Sequence, residues 1–290
     1  MTYSEIWHRI ATSYDDGEAR AIARILIEEL FGLSYADIVC GATEQLSADD
    51  TLRLDTAVRR IEQGEPLQHV LGYADFCGNR FSVNSSVLIP RPETEWLVDE
   101  GAKLMSTTAT SSPKRILDIG TGSGCIAISL KLRLGDAYVE AWDISEEALR
   151  TAQDNADALK AEVVFRKRDA LRADNTAAPW DLIVSNPPYI CDSERSAMDD
   201  NVLLHEPHTA LFVPDDDPLR FYRAIARYAL LTLNIGGSLL FECNTRYAEA
   251  TGKMLSDMGF EEVTVSDDCF GLPRFVRGSS PSQPSPSGRA

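Results

Sequence analysis

The chain has 290 residues, 44% of them hydrophobic, so it can bury a sizeable core as one large or two modest domains. Its 28 basic and 45 acidic residues give a formal net charge of -17, which opposes an extended surface for the phosphates of DNA or RNA. No stretch is apolar enough for a signal peptide or a membrane span, so we expect neither.

The six cysteines are widely spaced, with no Cys-x-x-Cys motif and no histidine nearby at ligand spacing. This pattern is typical of reduced, buried thiols in a cytosolic protein. We therefore expect a cytoplasmic protein without a zinc site.

The first 72 residues are predicted to form a helical domain, because apolar residues recur at helical spacing on two segments. These residues are Ile22, Ile25, Leu26, Leu30, Leu54, Val58 and Ile61. Ser47 followed by Asp50 predicts a capping box that opens the second helix. The pattern leaves open whether this domain only packs or also recognises a partner.

Residues 73–92 are predicted to link two domains. Residues 73–83 are rich in β-forming types around Gly78-Asn79, which indicates a β-hairpin. Pro90 and Pro92 then end the extended segment and open an amphipathic helix.

Residues 93–277 alternate between predicted strands and helices, which is typical of an α/β fold with a mostly parallel sheet and helices on both faces. The predicted strands are 115–119, 138–143, 163–168, 181–185, 238–243 and one from residue 261, and the predicted helices are 126–134, 146–159, 219–233 and 247–258. Residues 278–290 are rich in Ser, Pro and Gly and are predicted to be disordered.

A glycine-rich loop, Gly120-Thr121-Gly122-Ser123-Gly124, follows the first strand of this domain. Glycines there let the backbone turn sharply and approach a ligand closely. A dinucleotide-binding fingerprint would have its third small residue one position later, where Cys125 stands. The loop resembles instead the first motif of Rossmann-like S-adenosylmethionine-dependent methyltransferases, with a purely structural turn as the alternative.

Two acidic residues end the next two predicted strands. A carboxylate at Asp143 can accept hydrogen bonds from both hydroxyls of a ribose. Asp169 could accept from the exocyclic amino group of adenine or cap a turn, and the sequence leaves both open.

The segment Asn186-Pro187-Pro188-Tyr189 follows the predicted strand 181–185. Consecutive prolines fix two φ angles and end the strand, and the residue before a proline is held extended. The segment is therefore a strand-ending turn or part of a site on the same rim of the sheet as the glycine loop. It resembles the signature of methyltransferases that act on planar amide or amino nitrogens.

The chemistry of such a nitrogen explains these residue types. Its lone pair is delocalised, so a site must accept hydrogen bonds from both N–H groups and aim the lone pair at a methyl carbon. The side-chain oxygen of Asn186 and the backbone oxygen of Pro187 can do so, and Tyr189 can pack against the flat group. Asn186, Pro187 and Tyr189 are thus the candidate catalytic residues, and with Pro188 the candidate substrate-binding residues.

Further motifs extend the resemblance over nearly the whole chain, to about residue 277. They are Glu65-Pro66-Leu67-Gln68-His69-Val70-Leu71-Gly72, Ile89-Pro90-Arg91-Pro92-Glu93-Thr94-Glu95 and Glu206-Pro207. With the glycine loop and Asn186-Pro187-Pro188-Tyr189, in this order, they resemble the bacterial peptide chain release factor glutamine methyltransferases. His69 and Glu206 themselves are expected to be structural.

The resemblance implies a seven-stranded methyltransferase domain behind a helical substrate-recognition domain. It also implies methylation of the glutamine amide in the Gly-Gly-Gln motif of class 1 release factors, with S-adenosyl-L-methionine as cofactor and S-adenosyl-L-homocysteine as product. The implied cofactor contacts are Gly120, Thr121, Gly122, Ser123, Gly124, Asp143, Asp169, Ala170 and Asn186. The family often has an aromatic residue after the acidic one, whereas Ala170 follows Asp169 here, so Leu171 or a neighbour is a candidate for covering the adenine.

The implied partner is a release factor, bound by a monomeric enzyme without membrane or direct nucleic-acid contact. Three alternatives remain open: a glutamine methyltransferase for a ribosomal protein, a nucleic-acid amino methyltransferase, which the negative charge opposes, and an inactive cofactor-binding module.

Overall fold

The computed structural model describes residues 1–107, 113–173 and 179–282. The chain forms two compact units, one of Met1–Tyr73 with Met198–Glu206 and the other of Ala74–Ala197 with Pro207–Ala290. In the part of the chain that the structure describes, none of the helices has the length and apolar character to cross a membrane.

The first unit is helical. Its helices are α1 (Tyr3–Ile10), α2 (Asp16–Phe31), α3 (Tyr35–Val39), α4 (Ala48–Glu62), α5 (Leu67–Leu71) and, from the later segment, α9 (Asp200–His205). Its core is built from the apolar faces of the first four helices, and Ile6, Leu26 and Ile61 are fully buried there. The helical pattern in the sequence thus reflects the burial of one face of each helix.

Two details of this unit differ from the sequence prediction. Ahead of α4 the unit has two further helices, α1 and α3, that the pattern did not indicate, while Ser47 opens α4, the predicted helix of Leu54, Val58 and Ile61. Ser47 Oγ accepts from Asp50 N at 3.1 Å, but the Asp50 carboxylate accepts from the Ser47 hydroxyl instead of its backbone N–H. Ser47 is therefore an N-cap without the reciprocal half of a capping box.

The second unit contains a seven-stranded sheet. Its strands are β3 (Arg115–Ile119), β4 (Tyr138–Asp143), β5 (Val163–Lys167), β6 (Trp180–Ser185), β9 (Leu233–Glu242), β10 (Glu261–Asp267) and β11 (Pro273–Ser279). The order across the sheet is β10-β11-β9-β6-β3-β4-β5, and β11 runs antiparallel to both of its neighbours. The other neighbouring pairs are parallel, so the predicted α/β fold with a mostly parallel sheet is confirmed.

Helices cover both faces of this sheet, which explains the continuous apolar runs of its central strands. They are α6 (Glu95–Thr107), α7 (Cys125–Leu134), α8 (Glu146–Leu159), α11 (Arg220–Thr232) and α12 (Ala248–Met258). One core contains α6 and α7, and the other contains α11 and α12 with the buried rings of Trp142 and Trp180.

Short elements complete the second unit. They are the hairpin strands β1 (Tyr73–Phe76) and β2 (Asn79–Ser82), the two-residue strands β7 (Ile190–Cys191) and β8 (Phe212–Val213), and α10 (His208–Leu211). The hairpin belongs to the core, since Phe76 and Phe81 are buried with α6 and α7. Strands β7 and β8 pair in parallel and follow the Asn186-Pro187-Pro188-Tyr189 turn.

The C-terminal prediction was partly wrong. The sequence pattern indicated one strand after residue 260, whereas the structure has two, and β11 extends through Gly278 to Ser279. Ser280 N donates to Gly237 O at 2.8 Å, so the chain at 278–280 is ordered by sheet and loop hydrogen bonds. The rest of the predicted disordered tail, residues 283–290, lies outside the described residues.

Candidate active site

The glycine loop connects β3 to α7 and is fixed to the neighbouring strand. The backbone N–H groups of Gly120 and Thr121 both donate to Trp142 O at 2.9 Å. Gly120, Gly122 and Gly124 have positive φ angles of 79°, 54° and 82°, which residues with a side chain rarely adopt. This explains why glycine stands at every second position of the loop.

A buried carboxyl group lies beneath the loop. Asp118 is fully buried and accepts a hydrogen bond from Thr121 Oγ1 at 2.6 Å. Burial raises the pKa of Asp118 to about 7, although this hydrogen bond opposes the shift. Thr121 and Ser123 are themselves 4% and 2% exposed, so their side chains belong to the support of the loop.

Asp143 ends β4 beside the loop. One carboxylate oxygen accepts from Gly122 N at 2.9 Å and the other from Ser145 N at 2.9 Å. Burial raises the pKa of Asp143 above its usual value, and these backbone hydrogen bonds offset only part of that shift. Each oxygen keeps a second lone pair, so the carboxylate can still accept hydrogen bonds from a ligand.

Asp169 acts as a cap in this structure. Its Oδ1 accepts from Leu171 N at 2.9 Å at the start of a short 3-10 turn, Ala170–Arg172. Of the two roles that the sequence leaves open for Asp169, the structure shows the capping role, and contact with an adenine stays a prediction.

Asn186 directly follows β6, at the same rim of the sheet. Ser185 Oγ donates to Ile119 O at 2.6 Å and so ties the end of β6 to the end of β3. A Cβ atom on Gly120 would lie 3.9 Å from Asn186 O, so the turn and the glycine loop are neighbours. The structure thus brings together the two motifs that the sequence separates by more than sixty positions.

A polar cluster, Thr94-Asn186-Tyr189-Glu242, holds this turn, with Thr94 and Glu242 buried and Asn186 and Tyr189 partly buried. Thr94 Oγ1 donates to Glu242 Oε2 at 2.7 Å, and Tyr189 Oη donates to Glu242 Oε1 at 3.2 Å. Asn186 Nδ2 donates to Thr94 Oγ1 at 3.4 Å. Sequence reasoning did not identify Thr94 or Glu242 as site residues, because no local pattern signals their pairing.

The charges around the cluster set its protonation. Burial raises the pKa of Glu242 above its usual range, and the hydrogen bond from Thr94 and the positive charge of Arg274 offset only part of this shift. Burial and the nearby Glu242 raise the pKa of Tyr189 well above its usual range. Tyr189 is therefore a neutral phenol whose hydroxyl donates a hydrogen bond to Glu242 Oε1.

A cavity of about 350 Å³ lies along this rim, within the usual range of small-molecule sites. Of the predicted site residues it is lined by Gly120, Gly122, Asp143, Asp169, Ala170, Asn186, Pro187 and Pro188. Thr121, Ser123, Gly124 and Tyr189 are not among its lining residues, and their contact with a ligand stays a prediction.

The cavity also has walls that the sequence did not indicate. They include Ser86, Val87, Leu88, Ile144, Pro207, Phe212, Arg220 and Phe221. Leu171, the predicted candidate for covering the adenine, also lines the cavity. Ile144 follows Asp143 and is 57% exposed, which is high for an isoleucine beside a cavity. The sequence could have indicated this wall, because an apolar residue directly follows the acidic residue that ends the strand.

Three cysteines of the second unit have raised pKa values, which argues against a reactive thiol at this site. Cys191, two residues after Tyr189, is 1% exposed and burial raises its pKa. Burial likewise raises the pKa of Cys125 to about 12 and that of Cys77 to about 11. These thiols are protonated at neutral pH and are weak nucleophiles.

Two family models match the chain. Residues 95–211 match the methyltransferase small domain, and residues 8–72 match the PrmC N-terminal domain. Among solved structures, the catalytic domain of hMettl16 in complex with the MAT2A 3'UTR hairpin 6 has a TM-score of 0.55 and 18% identity, covering 82% of this chain and 83% of that chain. A methyltransferase from Pyrococcus furiosus has a TM-score of 0.50 and 13% identity, covering 81% of this chain and 100% of that chain. These likenesses show the methyltransferase fold.

The curated relatives are more similar. A release factor glutamine methyltransferase of Bacteroides thetaiotaomicron is 44% identical, covering 91% of this chain and 93% of its own length. The enzyme of the same name from Flavobacterium psychrophilum is 38% identical, with 92% and 94% covered. The predicted resemblance is confirmed, and this chain belongs to the release factor glutamine methyltransferase family.

Proposed function

We propose that this protein transfers the methyl group of S-adenosylmethionine to the side-chain amide nitrogen of the glutamine in the Gly-Gly-Gln motif of class 1 release factors. One observation supports this above all: the Asn186-Pro187-Pro188 turn lines the same cavity as Gly120, Gly122 and Asp143. An acceptor site for a flat amide and a candidate cofactor site therefore share one space.

The cofactor fits the residues present. Gly120 and Gly122 line the cavity without side chains, so a ligand can approach the loop backbone closely, and Asp143 has lone pairs for the ribose hydroxyls. The exposed side chain of Ile144, with Leu171, offers an apolar surface for the adenine where Ala170 offers little. When bound, S-adenosylmethionine supplies an electrophilic methyl group on a sulfonium centre.

The chain's own groups orient the substrate amide. Asn186 Oδ1 and the Pro187 carbonyl oxygen accept hydrogen bonds from its two N–H groups, and Tyr189 packs against its plane. Positive charge then builds on the nitrogen, and the hydrogen-bond acceptors stabilise it. No strong base would be needed, because the bond from the methyl carbon to the sulfonium sulfur would break as the N–C bond forms, and the amide proton would then pass to solvent.

Residues 1–72 serve as the recognition domain for the release factor, residues 73–92 as the connection and residues 93–277 as the catalytic domain. Support comes from the match of residues 8–72 to an N-terminal domain model that is separate from the methyltransferase model. We further propose that the enzyme is monomeric and cytoplasmic; its six free cysteines accord with a cytoplasmic location.

The alternatives have less support. The relatives from Bacteroides thetaiotaomicron, Flavobacterium psychrophilum and Chlorobaculum tepidum are all named for release factors, which does not favour a ribosomal protein substrate. A nucleic-acid substrate is opposed by the net charge of -17. An inactive module would not need a polar cluster that holds the Asn186 amide.

Mass spectrometry of a purified release factor incubated with this protein and S-adenosylmethionine tests the proposal. We expect one added methyl group on the glutamine of the Gly-Gly-Gln peptide. A release factor with that glutamine replaced by glutamate is the control and should stay unmodified. Methylation of a ribosomal protein or RNA instead, with an unmodified release factor, would overturn the proposal.

A further inference from the structure

A carboxamide such as that of Asn186 has two ends with opposite hydrogen-bonding character. Its oxygen accepts and its NH2 group donates, and the two ends have nearly the same shape. The proposed reaction needs the oxygen to face the substrate amide, because a substrate NH2 group can only be held by an acceptor. Packing alone does not select one end, so a polar partner must do so.

The structure contains a partner that fixes this choice. Glu242 is 1% exposed, and its two carboxylate oxygens accept from Thr94 Oγ1 and Tyr189 Oη at 2.7 and 3.2 Å. Each hydroxyl has a single proton, and in this arrangement each donates it to a Glu242 oxygen. Thr94, which is 3% exposed, is then left with lone pairs alone to offer to Asn186.

The Asn186 contact follows from this. Thr94 Oγ1 can only accept from Asn186, and Asn186 Nδ2 is the end that donates to it, at 3.4 Å. The NH2 end is thereby held toward Thr94, and the oxygen is left for the cavity that Asn186 lines. The hydrogen bond from Tyr189 Oη to Glu242 holds the Tyr189 side chain in the same way. Asn244 Nδ2 also donates to Tyr189 O at 3.3 Å.

We propose that Thr94 and Glu242 are positioning residues that set the acceptor orientation of the Asn186 amide, and with it the preference of the site for a carboxamide substrate. This inference rests on the proposed function for its consequence in catalysis. The orientation itself is a property of the folded chain and can be measured without turnover.

The first test compares Thr94→Val with Thr94→Ser. Valine keeps the shape of threonine and removes the hydroxyl, whereas serine keeps the hydroxyl. We expect Thr94→Val to lower kcat on a release factor about 10- to 100-fold, as misorientation of a reacting group commonly does. The kcat of Thr94→Ser should stay within about threefold of that of the original protein, because serine keeps the hydroxyl that makes the hydrogen bond. The S-adenosylmethionine Kd should be unchanged in both variants.

A matched control separates this effect from the loss of any buried hydroxyl. Thr232 is 3% exposed and its hydroxyl donates to Tyr228 O within α11. Thr232→Val should therefore leave kcat unchanged. Glu242→Gln should lower kcat, since its NH2 end has to face one of the two hydroxyl oxygens.

The second test reads the Asn186 amide directly, by 15N–1H NMR of its side-chain NH2 group, assigned by comparison with Asn186→Ala. We expect Thr94→Val to shift these resonances, and Thr94→Ser and Thr232→Val to leave them in place. Unchanged resonances in Thr94→Val, or equal losses of kcat in Thr94→Val and Thr94→Ser, would overturn the inference. Failure of the proposed function would look different: the unmodified protein itself would not methylate the release factor, whereas the NMR result would still decide the orientation.

Discussion

Asp143 ends one strand of the sheet and Asn186 directly follows another, but they have different tasks in the proposed reaction, so their alanine variants should differ in kind. Asn186→Ala removes an acceptor for the substrate nitrogen and should lower kcat by about 10²- to 10³-fold. Asp143→Ala removes the acceptor for the ribose and should weaken S-adenosylmethionine binding about 10- to 100-fold. Calorimetry gives the Kd and mass spectrometry gives the rate. Near-normal turnover in the first variant, or unchanged Kd in the second, would contradict these roles.

The buried Asp118 predicts an unusual dependence of stability on pH. Its pKa is about 7 in the folded protein, against 3.8 for an ordinary aspartate, so the folded state holds a proton that the unfolded state loses first. The contribution of Asp118 to the free energy of unfolding is therefore greatest below about pH 4. It falls as the pH rises to about 7, by at most ~1.4 kcal/mol per pH unit.

Asp118→Asn isolates this contribution. The asparagine oxygen can still accept from Thr121 Oγ1 but does not titrate in this range. Urea unfolding at pH 5 and at pH 7.5 should show a smaller loss of stability in the variant than in the unmodified protein. Other titrating groups are shared by both proteins and cancel in the comparison. Equal losses would mean that Asp118 is ionised throughout.

Residues at strand ends were predictable because the chemistry and the strand pattern lie side by side in the sequence. Gly120 and Asn186 each follow an apolar strand and Asp143 ends one, and parallel strands place such ends on one rim. Thr94 and Glu242 were not predictable in this way, because 148 positions separate them and only the fold brings them together.

At the scale of elements, the hairpin β1-β2 is joined to the glycine loop through a single side chain of α8. Asn155, 2% exposed, accepts from Ser82 N at 2.7 Å and donates to Ser82 O at 3.0 Å and Ser123 O at 2.9 Å. The packing of the hairpin and the position of the loop are therefore linked.

Asn155→Ala should leave three backbone groups without this partner. We expect a loss of about 2–3 kcal/mol in the free energy of unfolding, together with weaker S-adenosylmethionine binding. Gln153→Ala, on the exposed face of the same helix, is the control and should cost less than about 0.5 kcal/mol. Denaturant unfolding and calorimetry measure both effects. A similar small cost in the two variants would show that Asn155 does not join these elements.

The elements were predicted well where one pattern persisted over several residues. Strands β3 and β4 and helix α8 have the predicted bounds, since their apolar residues mark buried faces. Strand β11 was not indicated, because Pro273 and Gly278 are unfavourable in strands and it adjoins a Ser/Pro-rich segment. Its pairing with β9 and β10 is a tertiary effect that overrides this local preference.

At the scale of the whole molecule, the proposed division of labour assigns release factor binding to the helical unit and methyl transfer to the sheet-containing unit. A short Gly-Gly-Gln peptide needs only the second task, whereas a complete release factor needs both. A change that loosens the helical unit should therefore affect the two substrates differently.

Arg9 is suited to this test because it connects α1 with α4. Its guanidinium donates to both oxygens of Glu62, at 2.8 and 2.7 Å, and to Asp55 Oδ1 at 2.7 Å. Arg9 lowers the pKa of both carboxyl groups, as expected for groups that interact as ions. Arg9→Ala should loosen this unit by about 1–2 kcal/mol, since the bidentate, half-buried pair with Glu62 is stronger than an exposed one.

We expect Arg9→Ala to raise the KM for the release factor severalfold and to leave turnover of the short peptide unchanged. Hydrogen exchange of residues 3–62 would show whether the unit has loosened. Arg53→Ala is the control, because Arg53 pairs with Asp50 at an exposed site of the same unit and contributes little. If exchange confirms the loosening but both substrates are methylated as before, or both are slowed equally, the helical unit is not the recognition domain.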